Sequence, residues 1–262
     1  TKERMDTDPA VNRYEFFGHQ YDVRRFPRIN LGFNIEDGLM LGAGFWFRTH
    51  GFRKDPFESD NKLSTLYSPF NNAYNVRYQG QFNHVFRSYD LVFNGEFYNP
   101  TLNNFFGLGN DTEERPEYER RFYRVRYKYL SFDMQVRQRL FDHKVGIAIG
   151  PSFYHYWNRE EDNRGKILDH PELIGLDSSD VYGKLSYVGG RLDIDVNNLN
   201  SEFYPTRGVL WTNQLRYYHG ITKSSTPLLR FQSDMTVYAS LAAPEKLLAI
   251  IRLGGGHIFS VN

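Results

Sequence analysis

Along most of this chain apolar and polar residues alternate with a period of two, as strands do when each face meets a different environment. In 38–48, Leu39, Leu41, Ala43, Phe45 and Phe47 share one face, opposite Gly42, Gly44 and Arg48. In 73–84, Tyr74, Val76, Tyr78 and Phe82 oppose Asn75, Arg77, Gln79, Gln81 and Asn83. In 87–97, Tyr89, Leu91, Phe93 and Phe97 oppose Asp90, Asn94 and Glu96. The clearest run is 228–241, where Leu229, Phe231, Met235, Val237, Ala239 and Leu241 oppose Arg230, Gln232, Asp234, Thr236 and Ser240. Runs at 29–36, 62–70, 144–158, 183–197, 207–219 and 246–260 follow the same rule, and helical periodicity is scarce.

The run 121–141 changes phase. Tyr123, Val125, Tyr127 and Tyr129 hold odd positions, then Leu130, Phe132, Met134, Val136 and Leu140 hold even ones. One extra residue flips every later side chain, so the pair Tyr129–Leu130 predicts a bulge. With this run the pattern predicts about eleven strands in an all-β, antiparallel fold.

Connections supply a separate test. The two longest, 98–120 and 159–182, fall on the same side of the strand order, while most on the other side are short. Outer-membrane barrels alternate in this way; the connection 49–61 breaks the pattern. Between "LDIDVNN" and "VLWTNQLRYY" the stretch "NSEFYPTRG" (200–208) predicts a tight turn, with Pro205 fixing φ and Gly208 relieving the backbone.

The polar faces carry charge of both signs, among them Arg137, Arg139, Arg191, Arg216, Arg230 and Asp234, which would line the wet lumen of a barrel. A soluble sandwich, propeller or calyx would turn the same faces to bulk water and remains open on pattern alone. Strand length favours a membrane barrel, whose strands need about 9–11 residues against about 5–6 in a soluble sheet. Aromatic residues gather near strand ends (Phe45, Phe47, Tyr67, Phe97, Tyr98, Tyr154–Trp157, Trp211, Tyr217, Tyr218), where interfacial girdles belong.

Composition sharpens this. Aromatic residues make up 17% of the chain, yet mean hydropathy is −0.60. No apolar run of transmembrane-helix length exists; "LLAIIRLGGG" (247–256) is interrupted by Arg252. A formal net charge of +1 with interspersed signs gives no nucleic-acid footprint. The absence of cysteine excludes disulfides and thiolate chemistry. The first residues, "TKERMDTDPAVNRYEFF", lack a signal-peptide core and read as part of a longer or processed chain, with 1–28 a periplasmic linker and 29–262 a partial barrel.

Candidate chemistry is thin. "DIDVNNLNSEFY" (193–204) starts like a calcium loop, but Asn198 stands where Gly is needed and Tyr204 where a bidentate Glu is needed. Asp193 and Asp195 read instead as lumen carboxylates facing neighbouring arginines. The His residues show no metal-ligand spacing, and "GGG" at 254–256 precedes no helix. Gly107 and Gly109, in a long loop, serve backbone shape. No catalytic residue, cofactor site or metal site is expected in these residues.

Three stretches resemble landmarks of the BamA-like outer-membrane proteins, the bacterial surface antigen family: "FFGLGNDT" (105–112), "LDIDVNNLNSEFYPTRGVLWTNQLRYY" (192–218) and "LLAIIRLGGGHIF" (247–259). The opening "INLGFNIEDGLMLGAGFWFRTHGFRKDPF" resembles a branch whose barrel follows a metallophosphoesterase domain. The resemblance implies that this is part of a barrel of about 16 strands in the outer membrane of a Gram-negative bacterium. It implies a loop motif at Phe106, Gly107, Gly109 and Asn110, and a periplasmic turn motif at Asp193, Asp195, Asn198, Tyr204, Pro205, Arg207 and Gly208. It also implies a role in inserting or translocating outer-membrane proteins or lipids, with a membrane anchor for a periplasmic enzyme domain, or a passive pore, as alternatives. The expected partners are outer-membrane lipid, closing strands from the same or another chain, client outer-membrane proteins and periplasmic accessory proteins. The family's Arg-Gly-Phe loop and its transport repeats do not occur in the sequence.

Overall fold

The computed structural model describes residues 21–260 apart from 52, 53, 55, 110, 111, 113, 202, 224 and 242–246. Eleven strands form one antiparallel sheet in which each strand pairs with its neighbours in sequence. They are β1 (Val23–Asn34), β2 (Gly38–Thr49), β3 (Ser59–Ser68), β4 (Ala73–Phe86), β5 (Tyr89–Asn104), β6 (Arg124–Leu140), β7 (Val145–Trp157), β8 (Leu185–Asn197), β9 (Gly208–Gly220), β10 (Leu228–Ser240) and β11 (Leu248–Ser260). Two short helices, α1 (Glu160–Asn163) and α2 (Ser178–Tyr182), sit in the β7–β8 connection with two 3-10 turns between them. The shortest strand has 10 residues and the longest 17, so each is long enough to cross a bilayer. Among the described residues no helix is long and apolar enough to do so.

Burial in this sheet is inverted. Asp90 and Asn83 are wholly buried, and Gln135 and Asp133 nearly so. Meanwhile Ile29, Leu31, Phe132, Ile149 and Phe231 on the opposite face are exposed. The polar face is the concave one: Asp133 on β6 is met across it by Arg191 on β8 and Arg216 on β9. The alternation in β2, β4, β5 and β10 places side chains as the sequence pattern expects, apolar outward and polar inward.

The run 121–141 departs from expectation. β6 pairs with β7 without a slip on either side of Tyr129 and Leu130. The irregularity lies on β5 instead, between Tyr98 and Thr101, where Asn99 and Pro100 stand. Proline has no N–H to give the ladder, so the extra residue belongs there. The odd positions of β6 therefore face inward along its whole length, Tyr127 and Tyr129 with Asp133, Gln135 and Arg137. What changes at Tyr129 is the content of the interior, not the phase of the strand.

Strand limits shift too. β1 begins at Val23, before the expected 29, because Arg24, Arg25 and Pro27 hide it from a periodicity test. β3 spans Ser59–Ser68 rather than 62–70, which shortens the connection that broke the parity. β5 continues to Asn104 beyond its bulge. Of the expected linker 1–28, residues 1–20 lie outside the described residues and Val23–Arg28 belong to β1. Among the described residues β1 pairs only with β2, and β11 only with β10, so the sheet is open at both edges.

Candidate functional site

Neighbouring strands in tight register put the inward residues into layers, and each layer has its own chemistry. Nearest the short turns lies Asp90. Its carboxylate accepts from the His84 backbone N–H at 3.0 Å and meets Arg137 at 3.1 Å and Arg139 at 2.9 Å. Asp90 and Arg137 are direct cross-strand partners, which is why the pair forms. Asn83 fills in beside them, donating to the Phe57 carbonyl and accepting from Arg137. Asp195 lies over Gly146, where a Cβ would stand 2.4 Å from its carboxylate oxygen.

A step along the strands, Asp133 gathers Ser152 (2.5 Å), Arg191 (2.6 Å) and Arg216 (3.3 Å). Asp193 takes Arg191 at 2.8 Å and the side-chain amides of Gln135 and Gln214 at 3.0 and 3.2 Å. These bonds cross from β6 through β7 and β8 to β9 and fix the curvature of the wall. On β2 and β3 a smaller cluster does the same, with Asp60 between Arg48, Lys62 and the Trp46 indole N–H. Asp234 and Arg252 pair at 2.7 Å between β10 and β11, in a more exposed setting. Arg230 meets only the Gln232 side chain, at 3.0 Å.

Toward the long loops the interior turns aromatic. Glu96, held by Arg77 at 2.9 Å and by the Tyr129 hydroxyl at 3.0 Å, is the last acid on this path. Beyond it runs a belt of ring contacts: Tyr98–Tyr129 at 4.9 Å, Tyr129–Tyr154 at 5.9 Å, Tyr154–Tyr218 at 6.2 Å and Tyr187–Tyr218 at 5.9 Å. The interfacial girdle read from sequence is therefore split. Tyr98, Tyr154, Tyr156 and Tyr218 face the interior, while Phe153, Trp157, Trp211 and Tyr217 face outward.

Above the belt the β7–β8 connection folds inward. Tyr123, Val125, Ile167, Leu168 and Val181 form an apolar cluster that closes this end. Asn163, fully buried, pairs with both backbone groups of Arg126 at 2.8 and 2.7 Å. Its amide stands in for the strand that β7 no longer supplies, since β7 ends at Trp157. The Ile167 N–H donates to Phe122 at 2.9 Å for the same reason. Lys128 meets Asp162 at 3.2 Å, and Glu36 takes Arg124 and Lys166 at 3.5 and 3.7 Å. Burial holds the Lys166 ammonium below its usual pKa, and its Nζ has no hydrogen-bond partner. Burial, with Asp169 and Glu160 nearby, pushes Tyr182 up to about 12.

The turn motif closes β8 to β9 through a residue that the sequence reading passed over. Asn200 accepts from the backbone N–H groups of Thr206 and Arg207, both at 3.0 Å, and donates to the Thr206 hydroxyl. Asn198 and Asn200 continue the ladder to Val209 and Arg207. Gly208 has φ +117°, and a Cβ there would lie 2.1 Å from the Asn198 carbonyl oxygen, so glycine is required. Tyr204 and Phe203 project outward at the tip, with Pro205 beside them. In the loop motif, Phe106 packs at a tilt against Tyr123, with ring centroids 4.9 Å apart, and Gly107 and Gly109 have φ of +135° and +89°. Asn110 lies outside the described residues.

Among the described residues no three His, Asp or Glu side chains converge to hold a metal ion. The arrangement binds strands to one another. No family model and no curated protein matches the sequence. Among solved structures, the chain is similar to BamA from Haemophilus ducreyi lacking POTRA domains 1–3, with 13% identity and a TM-score of 0.54. The match covers 88% of this chain and 40% of that one. It shows that these strands have the fold of a BamA-type β-barrel wall.

Proposed function

We propose that this chain forms wall strands of an outer-membrane barrel that inserts or translocates outer-membrane proteins or lipids. The single observation behind the membrane placement is the inverted burial, with Asp90 and Asn83 dry while Ile29, Leu31 and Ile251 are exposed. Such a surface is unstable in water and matched to lipid. The long loops then face outside the cell and the short turns face the periplasm. Membrane fractionation of the full-length protein, with electrophoresis of unboiled against boiled samples, tests this. A soluble, heat-unmodifiable protein would overturn it.

Support for the insertion role comes from the irregular pairing of β1 with β2. An unpaired strand in lipid leaves several kcal/mol of unsatisfied backbone per group, so it recruits another strand. β1 suits this purpose because its register shifts between Arg25 and Arg28, around Pro27, and Gly32 gives no side-chain packing. A photo-reactive residue at Leu31 of the full-length protein should capture nascent outer-membrane strands during active biogenesis. Capture of the protein's own closing strand alone, at every growth stage, would remove this role.

The dense bridging at Asp90 and Asp133 also suits a barrel that merely anchors a periplasmic enzyme domain, such as a metallophosphoesterase. It opposes a passive pore. Fusing the barrel to a foreign periplasmic domain separates the two readings: an anchor stays functional with its enzyme attached elsewhere, and an insertase does not.

A further inference from the structure

Arg191, Arg216 and Arg230 stand directly opposite one another across β8, β9 and β10. Like charges so placed repel unless anions intervene. Arg191 and Arg216 share Asp133, and Arg191 also has Asp193. Arg77, Arg137, Arg139 and Arg252 each have a carboxylate as well. Arg230 has none among the described residues, and the buried Nε of Arg216 lacks a hydrogen-bond partner. Both arginines border a cavity of about 620 Å³ on this face, walled by tyrosines on one part and by aliphatic side chains such as Leu168, Leu176 and Leu228 on another. Two of those tyrosines, Tyr127 and Tyr154, have ring neighbours, and among the described residues their hydroxyls make no hydrogen bond. The acid on the wall, Glu96, is already taken by Arg77 and Tyr129.

We infer that this cavity binds an anionic saccharide, with a phosphate or carboxylate group on Arg230 and Arg216 and the sugar ring against the tyrosine belt. Guanidinium groups suit phosphate and carboxylate oxygens. Flat aromatic walls with free hydroxyls suit a body that is apolar on its faces and hydroxylated at its edge. The volume falls within the usual range of about 300–1,000 Å³ for small-molecule sites. A free inorganic anion would leave the belt unused. The site is independent of whether the wall inserts other proteins.

The ligand could come from solution or as the head of a membrane glycolipid, and one experiment separates these. The full-length protein in detergent is titrated with glucosamine 1-phosphate, glucosamine, inorganic phosphate and a phosphorylated glucosamine glycolipid in mixed micelles. Saturable binding of the free sugar phosphate supports a soluble source, and binding of the glycolipid alone supports a membrane source. In either case Arg230→Gln should weaken binding about tenfold and Tyr154→Phe a few-fold, and both variants should keep the gel shift of the folded barrel. Arg230 is exposed and has no ion pair among the described residues, so its variant folds. Absence of binding by both compounds would overturn the site, as would equal affinity of wild type and Arg230→Gln. Inorganic phosphate binding as tightly as the sugar phosphate would overturn the saccharide assignment.

Discussion

Near the short turns, the interior of β5–β8 is held by charges, whereas near the long loops the same strands hold it with tyrosines. In the ionic half Asp90, Asp133 and Asp193 each collect two or more partners, as Asp90 does with Arg137, Arg139 and the His84 backbone. In the tyrosine half ring contacts run on from Glu96, and an apolar cluster around Tyr123 closes the end, with the Lys128–Asp162 and Glu36 ion pairs at its margin. β6 belongs to both halves and shows the division most plainly, since its odd positions carry Tyr127 and Tyr129, then Asp133 and Arg137. The difference follows from what each half must hold. Neighbouring strands need only cross-links, which directional ion pairs supply. A folded loop needs a surface to pack on, which rings supply.

The largest expected effect breaks the tyrosine half. Tyr123→Ala empties the centre of the loop cluster and should destabilise by roughly 4 kcal/mol, as large-to-small core changes do. Protease cleavage within 158–184 should rise sharply, while the β5–β6 hairpin stays protected. Loss of protection in both halves together would show that they are not separate.

Asp90→Ala breaks the ionic half. It strands two guanidinium groups in a buried site, at a cost of about 3 kcal/mol. The change should appear as a lower urea midpoint for the folded barrel in lipid, with the loop no more protease-sensitive than before. An unaltered midpoint would mean that water already screens the cluster. At the boundary between the halves, Tyr129→Phe removes the hydroxyl on Glu96, and Arg77 remains. About 1 kcal/mol is expected, by the same titration.

The smallest effect has the opposite sign. Lys166→Met should stabilise the loop by up to about 1 kcal/mol, because a buried ammonium without a hydrogen bond is replaced by a methyl thioether. Arg121 and Arg124 stay beside Glu36. The folded-state pKa of Lys166 is lowered, so its charge penalises folding below that pKa and the penalty fades as pH rises through it toward 10.5. Hydrogen exchange at Ile167 should therefore show a wild-type deficit at neutral pH that shrinks in alkali. A deficit that grows with pH would reverse the assignment.

Alternation by itself located most of the strands and the two faces of β2, β4, β5 and β10, because side-chain period two is a local property of the backbone; which strands pair is seen only in the sheet. Alternation also located the turn at 200–208, since Gly208 is demanded by local geometry; Asn200, which organises that turn, carries no signal beyond being one polar residue among several. The phase of β6 was legible only in part. A run of inward tyrosines looks like an outward face when rings are counted as apolar, and only pairing with β7 shows otherwise. The inward fold of 158–184 was equally hidden, because Asn163 acts as a strand edge only where β7 ends. Pairing of Asp90 with Arg137 follows from register, but the gathering of Asp133, Arg191 and Arg216 from β6, β8 and β9 depends on the curvature of the whole sheet. Local pattern fixes which way a side chain points; only the curved wall decides what it meets there.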